Sequence, residues 1–136
     1  MKSIFIDSDI LLDLVLHRDP FYDWAKGLFL LFDSNIYKGC ASVHSLLNTH
    51  YLAKKHAGEK AARTSIALLA SRLNIITEDA IMVSYAIESN FKDFEDAIQF
   101  YAAKSAGADY IIIRNLKDYK ESTIPVLTAE QFLRTL

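Results

Sequence analysis

One cysteine, Cys40, two prolines and four glycines are all that this 136-residue chain holds of the residues that staple or punctuate small folds. A single thiol cannot close an internal disulfide, which excludes a disulfide scaffold and agrees with a reducing compartment. No apolar run is long enough to span a bilayer, and the opening apolar segment is too short and too acidic for a signal-peptide core. The expected setting is therefore soluble and cytoplasmic, without a membrane. An excess of positive charge is missing too: 15 Lys and Arg against 17 Asp and Glu leave a formal charge of −2 and a pI near 6.0. That argues against a generally basic nucleic-acid coat, although local Lys/Arg patches suffice to hold a phosphate backbone. Repeats, low-complexity tracts and linkers are also lacking. What the chain does have is apolar material, 51% of its residues, enough for one core. The expectation is a single domain over residues 1–136.

Apolar periodicity alternates between short strand-like runs and longer helical ones. The spacing predicts strands over residues 3–6, 35–41, 73–77, 109–114 and 124–127. It predicts helices over 21–32, 43–56, 60–71, 81–89, 94–106 and 129–136. Gly107 stands where a helix C-cap belongs, and Gly58 separates two helical runs. Strands alternating with helices imply an α/β fold with a mostly parallel sheet of about five strands, covered on both faces. Ligands of such sheets gather beyond the carboxyl ends of the strands.

Acidic residues collect at that edge. Asp7 follows the first strand, with Asp9 and Asp13 close behind; Asn115 and Asp118 follow the strand DYIIIRN; Asp93, Glu95 and Asp96 open the helix that leads into it. Taken singly these acids have structural readings: Asp93 as a helix cap, Glu95 and Asp96 as complements of a helix dipole, Asp118 as a turn residue. Together they repel one another unless a cation or protons offset the charge. Oxygen ligands without a Cys or His set favour Mg²⁺ or Mn²⁺. The matching chemistry is hydrolysis of a phosphodiester by metal-bound water.

The motifs also resemble those of a known family. IDSDILLD resembles the opening of PIN-domain nucleases, ASVHSLLNTHYL their second motif, DFEDAIQFYAAKSAGADYIIIRNLKDY their third and fourth, and IPVLTAEQFL a common PIN ending. The resemblance runs over essentially the whole chain. It implies a three-layer α/β/α domain and a Mg²⁺- or Mn²⁺-dependent endoribonuclease of the VapC-like kind. It also implies an RNA substrate, a small antitoxin protein as partner and a homodimer. Carried over by position, Asp7, Asp96 and Asp118 are the metal-binding and catalytic acids, Ser8 is an orienting hydroxyl, and Asp9 is a supporting cap or acceptor. Two positions depart from the pattern. Asn48 stands where many such nucleases carry a Glu, and Ile113-Arg114-Asn115 stands where many read Thr or Ser, Arg, Asp, so a hydroxyl and a carboxylate are both replaced while the Arg is kept. The amides at Asn48 and Asn115 leave a less negative site, expected to hold metal more weakly. A degenerate domain that binds RNA or protein without cutting is the alternative.

Other residues read as structural. Cys40 fits the end of a buried strand better than a nucleophile paired with His44. His44, His50 and His56 read as surface or packing residues, and Trp24, Leu28, Phe29, Leu31 and Phe32 as one apolar helix face. Lys54, Lys55, Lys60 and Arg63 fit either phosphate contacts or a solvated helix end.

Overall fold

In the computed structural model the backbone is described for residues 1–136, and every side chain except that of Asp118. Five short strands carry the sheet: β1 (Lys2–Ile6), β2 (Tyr37–Ser42), β3 (Asn74–Ile76), β4 (Tyr110–Ile112) and β5 (Val126–Leu127). Ile4, Phe5 and Ile6 are all buried, so β1 is apolar on both faces, as a strand between two helical layers must be. Seven helices connect and cover the strands: α1 (Ser8–Val15), α2 (Tyr22–Asp33), α3 (Val43–Ala57), α4 (Glu59–Arg72), α5 (Ala80–Glu88), α6 (Phe94–Ser105) and α7 (Ala129–Leu133). A 3₁₀ turn, Leu116–Tyr119, follows β4.

Every strand pairing is parallel, and the order across the sheet is β3-β2-β1-β4-β5. The chain winds outward from β1 in one direction through β2 and β3. It then returns to the other side of β1 through β4 and β5. The reversal falls between β1 and β4, and this is where α/β sheets open a crevice at their carboxyl edge.

One face of the sheet packs Ile4 and Ile6 against Leu11 of α1, Leu28 of α2, Leu69 of α4 and Phe132 of α7. The other packs Phe5 and Ile111 against Met82 of α5, Phe100 of α6 and Tyr119. Three layers result, as the alternating pattern predicted. Gly58 (φ 89°) and Gly107 (φ 67°) sit at the expected helix ends in the left-handed region that a side chain disfavours.

The predicted elements agree in kind and differ at their ends, and α1 (Ser8–Val15) is a helix that the spacing did not predict. The last helix stops at Leu133, not residue 136, where the Thr135 hydroxyl donates to the Phe132 carbonyl at 2.6 Å and competes with helix continuation. Cys40 is buried, and Leu28, Phe29 and Phe32 enter the core with Trp24 and Leu31 at its margin. No helix among the described residues is long and apolar enough to cross a membrane.

Candidate active site

Asp7 leaves β1 with extended backbone and becomes the N-cap of α1, its Oδ1 accepting the Ile10 amide at 3.4 Å. Its own amide donates to the Ile112 carbonyl of β4 at 3.3 Å. The residue thus stands where the strand order reverses. Ser8 and Asp9 open α1 beside it, both partly buried. Burial first, then the Asp9 carboxylate and more weakly that of Asp96, hold the Asp7 carboxyl at about 8 against an ordinary 3.8, over the opposing pull of the Ile10 and Asp9 amides.

Asp96 comes to this edge on the first turn of α6. Asp93 caps that helix by accepting the Asp96 amide at 2.9 Å, so the structural reading of Asp93 holds. Tyr119 lies within electrostatic reach of these acids. Its buried phenol is pushed up from an ordinary 10 by burial first, then by Asp7, Asp96, Glu95 and Asp93 in turn. One hydroxyl therefore senses both the end of β1 and the start of α6. It stays neutral, able to donate a hydrogen bond at an edge rich in acceptors.

Of the other sequence-predicted residues, Asn115 caps the 3₁₀ turn, its Oδ1 accepting the Lys117 amide at 3.4 Å. That turn brings the backbone of Asp118 beside Tyr119; the Asp118 side chain lies outside the described residues. Asn48, on α3, sits 3.3 Å from His44 Nε2, and the same nitrogen lies 3.5 Å from Glu95 Oε2. His44 thus links the second motif to the helix carrying Asp96. Asp9 leans toward Arg18, whose Nη2 is 3.5 Å from Asp9 Oδ1.

Sequence reading missed Tyr119 and the support beneath α3. Gln99 Nε2 donates to Ser45 Oγ at 2.7 Å, and Ser42 Oγ donates to Gln99 Oε1 at 3.4 Å, all three side chains buried. This polar clamp fixes the start of α3 against α6. Its signal was present in FEDAIQF, where Gln99 falls three residues after Asp96 on one helix face. Asp13, grouped in the sequence with the acids of the edge, is instead buried and paired with both Arg18, at 3.0 Å, and Arg114. The lysines behave as surface residues: Lys54 and Arg63 both pair with Glu59, and Lys55 lies over the Tyr51 ring.

Among the described residues no three His, Cys, Asp or Glu side chains form a closed metal cage. A hard cation that keeps most of its waters needs only one or two carboxylates. Asp7 and Asp96 are the described carboxylates that would hold such an ion at this edge. The half-buried Asp7 carboxyl faces like charges, while Arg18 and Arg114 are both turned onto Asp13. A divalent ion would relieve this arrangement in place of the proton that Asp7 otherwise keeps, and the all-oxygen donor set suits Mg²⁺ or Mn²⁺.

Comparison with known proteins agrees with this fold. The family model described as PIN domain matches residues 3–117. Ribonuclease VapC1 of Aquifex aeolicus is 27% identical, with 96% of this chain and 93% of that protein covered. A toxin–antitoxin complex from Klebsiella pneumoniae has a TM-score of 0.69 at 25% identity, covering 93% of this chain and 98% of that one. DNA-bound VapBC from Salmonella typhimurium gives 0.71 at 18% identity, covering 95% and 99%.

Proposed function

The chain belongs to the PIN-domain family, and on that premise we propose that it is a metal-dependent endoribonuclease acting as the toxin of a bacterial toxin–antitoxin pair. The observation that supports the reading is Asp7 at the carboxyl end of β1, where the parallel sheet reverses its order and its amide meets the Ile112 carbonyl, with Asp96 on the first turn of α6 within electrostatic reach. The ribonuclease name of the Aquifex relative supports the activity, and the Klebsiella complex supports a small antitoxin as partner.

Asp7, Asp96 and Asp118 are assigned as the carboxylates that hold Mg²⁺ or Mn²⁺ at the carboxyl edge. When bound, such an ion activates water and offsets charge at phosphorus. Ser8 and Asp9 support Asp7 from the first turn of α1, and Tyr119 supplies a neutral donor beside the acids. Asn48 offers an amide to a water or to RNA, its place fixed by His44. Asn115 shapes the turn that presents Asp118. Leu47 and Tyr51 of α3 and Ile81, Tyr85 and Ile87 of α5 are exposed. These side chains support a homodimer, and Leu47→Glu is expected to give a folded monomer by light scattering.

Asn48 and Asn115 also favour a second reading, a domain that binds RNA without cutting it. Incubation of a mixed RNA pool with and without Mn²⁺ separates the two. Metal-dependent cleavage supports the nuclease, and retention of intact RNA under every metal supports the binding module.

A further inference from the structure

Next to the acidic edge, on the face covered by α1, α2 and α7, lies a cavity of about 210 Å³ that the rim chemistry does not use. Ile10, Phe21, Trp24, Ile113, Arg114 and Thr128 line much of it. Arg114 follows β4 and Thr128 follows β5, so the cavity opens at the same carboxyl edge as Asp7. It is a neighbour of the rim.

Its chemistry is planar and nearly neutral. The Arg114 guanidinium lies over the Phe21 ring, 4.0 Å from Cζ to the ring centre, and is tied to Asp13 through one terminal nitrogen. Arg18 joins Asp13 to Asp9, so two guanidiniums face two carboxylates. Glu130, also on the wall, is answered by Arg134 at 3.0 Å. A free phosphate gains little from walls whose charges already cancel. A flat neutral ring with a polar edge gains contact with aromatic and guanidinium planes, the surfaces on which bases of single-stranded RNA stack. Arg114 Nε is buried without a partner, and the terminal N–H groups not engaged by Asp13 are the donors suited to a base edge.

We propose that this cavity takes one base of the RNA strand held at the acidic rim, stacked on Trp24 and Arg114, and thereby selects the nucleotide flanking the cut bond. The inference rests on the ribonuclease reading for its strand, but base binding is measurable without cleavage. Trp24 is the chain's only tryptophan, so its emission reports cavity occupancy.

The metal-free full chain is titrated with the four nucleoside 5′-monophosphates and with ribose 5-phosphate as a base-free control. The expected result is saturable quenching by nucleotides, unequal among the four bases, and none by ribose 5-phosphate. Phe21→Leu and Arg114→Lys, which keeps a cation on Asp13, should each raise the half-saturating concentration about fivefold or more while circular dichroism shows an intact fold. Equal quenching by ribose 5-phosphate, unaltered affinity in both folded variants, or response only to a short aromatic peptide amide would overturn the proposal. Nucleotide quenching without RNA cleavage supports the cavity and removes the ribonuclease reading. Cleavage with Trp24 silent does the reverse.

Discussion

Asp13 and Arg114 stand 101 residues apart in sequence and form an ion pair that fastens the first helix to the segment after β4. Arg18 completes the arrangement from the far end of α1, its Nε donating to the same Asp13 oxygen at 3.0 Å. The Asp13 carboxylate is almost wholly withdrawn from water, while both arginines keep partial exposure.

Removing that carboxylate charge should therefore cost stability, because two guanidiniums lose the group they were folded around. Asp13→Asn is expected to lower the unfolding free energy by about 3 kcal/mol in urea titration. Mn²⁺ affinity of the folded variant should change far less than in Asp7→Asn. Equal losses of metal affinity in both would show that Asp13 belongs to the site.

Asp7 should behave in the opposite sense in metal-free protein. Its folded pKa of about 8 lies above the ordinary 3.8, so the folded state binds the extra proton between those values. Stability is then retained at low pH and falls as pH rises from about 4 through 8. With a chelator present, the melting temperature should drop between pH 5 and pH 8.5, and Asp7→Asn should flatten that drop. Added Mn²⁺ should restore the wild type at pH 8.5 and do little for the variant.

Asn48 tests how depleted the site is. Glutamate at this position adds a carboxylate beside His44 and Glu95, on the helix that the Ser42, Ser45 and Gln99 clamp holds against α6. Asn48→Glu is expected to tighten Mn²⁺ binding several-fold and to increase RNA cleavage. Calorimetry and a gel assay on the same preparation check both effects. Weaker binding with an unchanged fold would show that Asn48 does not face the ion.

The layers and the position of Asp7 were legible because they depend on local pattern. IFID is an apolar run ended by an acid, and alternating strands and helices leave few topologies. The ends of elements were less legible: β4 pairs only over Tyr110–Ile112, although apolar character continues through Ile113. Contacts between distant segments could not be read at all. Nothing local in LLDLV marks Asp13 as buried, since its partner Arg114 arrives only when β4 docks beside β1. Tyr119 was hidden for the same reason, being meaningful only once its ring enters the core behind Asp7 and Asp96.

Whether Asp7 holds the ion that makes RNA hydrolysis possible is decided by cleavage of one RNA pool in Mn²⁺ with wild type, Asp7→Asn and Asp9→Asn, all confirmed as folded by circular dichroism. Wild type is expected to cleave until a chelator is added, Asp9→Asn to keep partial activity and Asp7→Asn to show none above background. Full activity in folded Asp7→Asn would contradict that role of Asp7.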